Sequence, residues 1–306
     1  MKTKLHNNLN TAKKSKCDEF YTQLIDIEKE LIHYKDKFVD KVVYCNCDDY
    51  TKSNFTKYFR DNFSELKLKK LICTGLNSKY YEYNGVNEIV KDLVSNGDFC
   101  SEECIEILKE CDVVVTNPPF SLFRKYVKQL MEFGKKFLII GNQNAITYKE
   151  FFPYIKENKV WVGLTMNGSG RWFQAPDNYE VNEKKSSGYK VIDGKKYYLV
   201  NSVTWFTNLD NKKHNETIDL YCKYNETNYP KYNNYDAIEV SKVSEIPMDY
   251  NGCMGVPITF LYKYCPTQFE ILGHEHDLDG IGTSLNQFEV NGKGVYKRLL
   301  IRKKQN

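Results

Sequence analysis

Asp112-Val113-Val114-Val115-Thr116-Asn117-Pro118-Pro119-Phe120 decides how this chain is read. Three consecutive β-branched residues without polar alternation predict a short strand buried on both faces, as in the middle of a parallel sheet. Two prolines follow. Neither extends a strand or fits a helix interior, so the chain must stop and turn there. The turn leaves an amide side chain, a proline carbonyl and an aromatic ring at the carboxyl end of a strand. Open α/β sheets bind their ligands at that edge. Two acceptors and a ring face suit a flat base bearing an exocyclic amine, each acceptor taking one N–H while the ring stacks.

Outward from this stretch, short apolar runs alternate with amphipathic ones. Strands are expected at 41–44, 70–74, 89–94, 136–141, 160–164 and 202–208, and helices at 25–38, 54–63, 102–111, 122–133 and 148–158. In the second of these helices Phe55, Tyr58, Phe59 and Phe63 fall on one face. The alternation predicts an α/β fold with a three-layer, mostly parallel sheet of about seven strands. Residues 167–201 are rich in Gly, Lys and Tyr and lack periodicity, so an insertion before the last strand is expected there. Beyond 210 the segments are short, mixed and punctuated by Pro and Gly. The chain is therefore read as a main domain, 1–210, and a smaller region, 211–306.

Composition excludes little. In 306 residues, 44 basic side chains face 40 acidic ones, so net charge alone argues weakly for a polyanionic partner. Distribution says more. Lys2, Lys4, Lys13, Lys14 and Lys16 precede the first acid, Asp18, and Lys293, Lys297, Arg298, Arg302, Lys303 and Lys304 crowd the other end. Basic runs of this kind either solvate a terminus or contact a nucleic-acid backbone. The ten cysteines include no Cys-x-x-Cys pair, which suits a reducing cytoplasm and small buried thiols. Cys45-Asn46-Cys47 has no second pair to complete a metal site, and His274-Glu275-His276 reads as a polar loop, so no metal is expected. No apolar run is long enough to cross a membrane.

The Asn117-Pro118-Pro119-Phe120 tetrapeptide resembles the catalytic motif of S-adenosylmethionine-dependent amino-methyltransferases. Asp18-Glu19-Phe20-Tyr21-Thr22 resembles the N-terminal cofactor motif of DNA adenine methylases. Val42 to Asp49, Thr116 to Phe123, Lys136 to Ile140 and Gly255-Val256-Pro257-Ile258-Thr259-Phe260-Leu261 are similar to blocks of the EcoRI-type adenine methylase family. The likeness runs collinearly from about residue 13 to the C-terminus. It implies a Rossmann-like methyltransferase sheet in 1–210 and a target-recognition region in 211–306.

The same resemblance implies roles. Asn117 and the carbonyl of Pro118 would accept from the target amine, Pro119 would shape the turn, and Phe120 would stack on an extruded base. Phe20, Tyr21 and Thr22 would contact the methionine end of S-adenosylmethionine. Asn46, Cys47, Asp48 and Asp49 would lie under the cofactor, and Asp98-Phe99 would hold its adenine. Two features depart from the usual methyltransferase pattern. Cys45-Asn46-Cys47-Asp48 replaces the Gly-rich turn after the first strand. Cys73-Thr74-Gly75 offers no acid to the ribose at the end of the second, where Glu82 is the substitute on offer.

DNA contacts are expected from Lys13, Lys14 and Lys16, from Arg124 behind the tetrapeptide, and from Arg171 and Trp172 in Gly168-Ser169-Gly170-Arg171-Trp172-Phe173. There a flexible turn meets a cation and two rings, and the cation suits a guanine edge or a phosphate. The C-terminal basic cluster is a further candidate. The expected activity is adenine-N6 methylation of double-stranded DNA by a cytoplasmic monomer. The target would be a short, GAATTC-like palindrome, within a restriction-modification system whose endonuclease is a functional partner. The competing readings are an RNA or protein-glutamine methyltransferase, a non-catalytic DNA-binding protein, and an endonuclease. For the last, Pro176-Asp177 with Glu183-Lys184-Lys185 is a loose metal-nuclease match.

Overall fold

The computed structural model describes residues 21–175, 188–278 and 287–304. Lys13, Lys14, Lys16 and Phe20 lie outside these residues, as do Pro176-Asp177 and Glu183-Lys184-Lys185. The chain divides into two compact units. One comprises Met1–Gln143 with Gly163–Leu209, the other Asn144–Val162 with Asp210–Asn306. The sequence reading assigns 144–162 to the main domain, whereas this segment clusters with the second unit.

In the first unit the strands are β1 (Val42–Cys45), β2 (Lys70–Gly75), β3 (Lys79–Tyr83), β4 (Glu88–Asp92), β5 (Val113–Thr116), β6 (Lys136–Asn142), β7 (Trp161–Asn167), β8 (Arg171–Gln174), β9 (Tyr189–Ile192), β10 (Lys195–Val200) and β11 (Val203–Thr207). Its helices are α1 (Leu24–Leu31), α2 (Asn54–Asp61), α3 (Glu102–Glu110) and α4 (Phe123–Glu132). Eight strands form one sheet in the order β4-β3-β2-β1-β5-β6-β11-β7. Its centre, β2-β1-β5-β6, is parallel. β3 and β4 extend it antiparallel on one side, and β11 runs antiparallel to β6 on the other. β1 and β5 are buried at every position, as a strand covered on both faces must be. α2 begins at Ser53, whose hydroxyl accepts from the N–H groups of Phe55 and Thr56. It lays Phe55, Tyr58 and Phe59 into the core.

Two differences from expectation have local causes. Lys79–Tyr83 is a strand the sequence reading passed over. It is a Tyr-rich run between turns at Ser78 (φ 55°) and Gly85 (φ 91°), which fold β2, β3 and β4 into a meander. The expected irregular insertion at 167–201 holds a three-stranded antiparallel sheet, β8-β10-β9. Asp193 and Gly194, at φ 49° and 73°, form the two-residue turn joining β9 to β10. Asp-Gly is the pair that a type I′ hairpin selects.

In the second unit the expected helix at 148–158 is confined to α5 (Phe152–Lys156), with Pro153 in its first turn. Five strands pair in the order β12 (Ile238–Glu239), β13 (Met254–Pro257), β18 (Arg298–Lys303), β14 (Phe269–His274), β15 (Asp277–Leu278). A separate hairpin pairs β16 (Phe288–Val290) with β17 (Lys293–Val295). Phe260, Phe269, Leu299 and Ile301 are buried in this unit.

Candidate functional site

β1 and β5 are parallel neighbours, yet β2 continues the sheet on one side and β6 on the other. That reversal opens a crevice at the carboxyl ends of β1 and β5, where doubly wound sheets bind ligands. The turns leaving these strands are Asn46–Asp49 and Asn117–Phe120.

Asp48 ties the two turns together. One carboxylate oxygen accepts from the Ser53 hydroxyl at 2.5 Å, the other from the Thr116 hydroxyl at 2.5 Å, and the Asp48 N–H donates to the Thr74 carbonyl at 2.9 Å. The residue before Asn117, the cap of α2 and the end of β2 are thus fixed on one buried residue, the first two by its carboxylate and the third by its backbone. Asn46 does related work: its side-chain oxygen accepts from the Tyr126 hydroxyl on α4, the helix that follows the tetrapeptide. Glycine makes the close approach possible. A Cβ on Gly75 would sit 3.0 Å from the Asp48 carbonyl carbon, and one on Gly97 would sit 1.9 Å from the Gly75 carbonyl oxygen.

The resulting cleft gathers Tyr21, Thr22, Cys47, Asp48, Asp49 and Asn117 from three separate stretches of sequence. Ser53, Asn54, Leu76 and Asn77 also line it. The sequence reading missed these four, although Ser53-Asn54 ahead of an aromatic-faced helix is a capping signal. Tyr21 is held by paired hydrogen bonds with Gln174 of β8, at 2.9 and 3.0 Å. Thr22 is 3% exposed and its carbonyl accepts from the Asn54 amide at 2.7 Å. Its hydroxyl has no partner among the described residues. Asp49 closes a local turn by accepting from the Thr51 N–H at 3.0 Å and hydroxyl at 2.7 Å.

Other expected residues lie apart from the cleft lining. Pro118 and Pro119 are buried, while Phe120 is partly exposed and packs on the main core. Phe99 is buried edge-on against Tyr126, with ring centroids 4.9 Å apart, and Asp98 accepts from the Cys100 N–H at 2.9 Å. Glu82 accepts from Lys70 at 3.1 Å and from the Tyr80 hydroxyl, so its carboxylate is engaged within the β2–β3 hairpin.

Among the expected DNA contacts, Arg124 is exposed on α4 directly after the tetrapeptide. Arg171 is spoken for: its guanidinium donates to Ser169 at 2.8 Å and to the Thr165 carbonyl at 3.1 Å, with Asp26 of α1 3.8 Å away. Trp172 is partly exposed under the Lys190 ammonium, 4.2 Å from its ring. In the second unit, Arg298 pairs with Glu239 at 2.7 Å and Arg302 with Glu270 at 3.2 Å. Lys303 donates to the Met248 carbonyl, and Lys297 to Asn144 at 2.9 Å. Much of the C-terminal basic cluster is therefore neutralised or satisfied inside its own unit, which weakens it as a backbone-binding patch.

Burial raises the Asp48 carboxyl from 3.8 to about 6, against the opposing pull of its Ser53 and Thr116 hydrogen bonds, with a smaller upward push from Asp49. Between these two values the unfolded chain has lost the proton that the folded chain keeps, so rising pH destabilises the fold there and the loss levels off above pH 6. Asp48→Asn removes that titration and keeps the side-chain shape. Its stability relative to wild type, measured by urea unfolding, is expected to climb by about 2 kcal/mol between pH 4 and 6.5 and then level off. A pH-independent difference would show that Asp48 does not titrate in this way.

The family model described as adenine-specific methyltransferase EcoRI matches residues 8–91 and 77–304. The chain is 47% identical to the Type II methyltransferase M.EcoRI of Escherichia coli, over 97% of this chain and 96% of that protein. It is 42% identical to M.MgeORF184P of Mycoplasma genitalium, over 98% and 99%, and 40% identical to M.MpnI of Mycoplasma pneumoniae, over 97% and 98%. Both of these are also Type II methyltransferases. No solved structure matches. A crevice at the β1/β5 switch point, an Asn-Pro-Pro-Phe turn on its rim and these full-length relatives agree: the chain belongs to the EcoRI-type family of adenine-specific DNA methyltransferases.

Proposed function

We propose that the chain moves a methyl group from S-adenosylmethionine to N6 of an adenine flipped out of duplex DNA, at one adenine of a short, GAATTC-like palindrome. The observation that carries this reading is the cleft that brings Tyr21, Thr22, the β1 turn and Asn117 together. Its fit to the cofactor rests on the buried Thr22 hydroxyl without a partner among the described residues and on the glycine-floored turn at Gly75 and Gly97. Tyr21 and Thr22 would hold the methionine end, Cys47 and Asp49 would line the middle, and Leu76 and Asn77 would stand where β2 ends. Asp98 and Phe99 would reach the cofactor adenine only at the margin of this cleft.

When bound, S-adenosylmethionine supplies an already activated methyl group. The difficulty lies in the adenine amine, whose lone pair is delocalised into the ring. Asn117 Oδ1 and the Pro118 carbonyl accept its two N–H bonds, which favours a more tetrahedral nitrogen and stabilises the positive charge that grows on it. A neutral amide is too weak a base to take the proton, which leaves for solvent after transfer. Flipping the nucleotide costs a few kcal/mol, and stacking on Phe120 returns about 1–3 kcal/mol. Phe120→Ala is therefore expected to lower kcat/KM by about 5- to 150-fold. A base already unpaired by a mismatch should recover part of the loss.

The remaining elements follow from this reading. The first unit is a Rossmann-like, three-layer catalytic domain, and the second is the target-recognition region. Arg124 and Trp172 face the DNA, and Arg171 joins them by exchanging its internal bonds; Lys13, Lys14 and Lys16 would add charge for its phosphates. The enzyme works as a cytoplasmic monomer beside a restriction endonuclease of the same specificity; no helix of the described residues is long and apolar enough to cross a membrane. Purified chain given labelled S-adenosylmethionine should label duplex DNA and leave RNA and protein unlabelled. Label in RNA or in glutamine side chains would overturn the assignment.

A further inference from the structure

Gln143 follows directly from β6, and its N–H donates to the Ser202 carbonyl at 2.6 Å, fixing the backbone at this point. β6 is the parallel neighbour of β5, so Gln143 and Asn117 leave adjacent strands at the same edge of the sheet. The two strand ends are also packed together. A Cβ on Gly141 would meet the Phe123 ring at 2.5 Å, and Phe123 opens the helix that follows the tetrapeptide.

The Gln143 side chain is 8% exposed, and its amide nitrogen has no hydrogen-bond partner among the described residues. Gly168 is built around it: φ is 79°, and a Cβ there would lie 2.3 Å from Gln143 Oε1 and 2.9 Å from Nε2. A side chain needed only to fill this space would be apolar, because a buried N–H without an acceptor is costly. Glutamine, like asparagine, pairs with adenine edges through its amide.

We propose that Gln143 is a specificity-determining residue that donates its amide N–H to a ring nitrogen of the target adenine, while Asn117 and Pro118 hold the exocyclic amine. The inference rests on the DNA-adenine reading above. It explains how the site selects the ring as well as the amine, and why a polar side chain stands where Gly168 packs against it. A cytosine amine would satisfy Asn117 equally, but cytosine has no counterpart of adenine N3 or N7, so a donor set for either of these would be left unmet.

The test uses duplexes carrying adenine, 1-deazaadenine, 3-deazaadenine or 7-deazaadenine at the methylated position, with wild type, Gln143→Met and the isosteric Gln143→Glu. Wild type should lose about 5- to 150-fold in kcat/KM on one of the three analogues. Gln143→Met and Gln143→Glu should lose a similar factor on adenine and show no further loss on that analogue. Either variant that folds, judged by an unchanged cooperative melt, suffices. The proposal is overturned if the variants match wild type on adenine, or if they are slow yet keep the full deaza penalty. Failure of wild type to methylate the unmodified duplex would instead remove the reading on which the inference rests.

Discussion

Asn117→Ala is expected to cut kcat by about 10²–10³-fold or more, equivalent to about 3–4 kcal/mol of transition-state stabilisation. On the proposed reading the lost oxygen is one of the two acceptors that meet the amine, and the demand on it grows as positive charge develops. The substitution should leave the scaffold intact. Asn117 is partly exposed, and the residue before it is anchored independently by the Thr116–Asp48 hydrogen bond. Binding of DNA and of S-adenosylmethionine should therefore change by only a few-fold. Asn117→Asp keeps an acceptor at the same place and should retain more activity than alanine. Single-turnover methylation at saturating cofactor separates the chemical step from binding. Full transfer by Asn117→Ala would sink the catalytic assignment.

Gly97→Ala is expected to be the most damaging single methyl in the first unit. Gly97 has φ 78°, where an L side chain costs about 1–2 kcal/mol. Its Cβ would also lie 1.9 Å from the Gly75 carbonyl oxygen, a backbone atom that cannot rotate away. Gly75 in turn lies against the Asp48–Asp49 backbone, so relief of the clash would move the floor of the cleft. A destabilisation above about 4 kcal/mol follows, together with loss of cofactor binding. Gly134→Ala is the control. It shares the positive φ, at 60°, but has nothing within 4 Å of the added carbon. It should cost only about 1–2 kcal/mol. Equal effects of the two substitutions in urea unfolding would show that the contact between Gly75 and Gly97 carries no weight.

Much of this arrangement was legible in the chain. Val113-Val114-Val115 could be read as a central strand because burial on both faces removes any need for polar alternation, and the prolines mark where it ends. The aromatic face of 54–63 gave α2 for the same kind of reason. Lys79–Tyr83 escaped because its tyrosines alternate with polar residues too irregularly to stand out beside the apolar strands. The sheet in 171–200 escaped because its strands are half-exposed, so Asp193-Gly194 was the one strong signal. At the site, residue types pointed to Asn117 and to the turn after β1. They could not show that Asp48 faces inward to Ser53 and Thr116, since those three residues meet only when β1, β5 and the cap of α2 converge. Nor could they show that Arg171, read as a contact for a guanine edge or a phosphate, is held by Ser169 and Thr165.

Methylation-aware sequencing of DNA from cells expressing the chain is the most direct test that it is a site-specific adenine-N6 methyltransferase. The expected result is N6-methyladenine at one adenine of a single short palindrome, on both strands. Genomic DNA without N6-methyladenine, or with the new methyl group on cytosine, would contradict it.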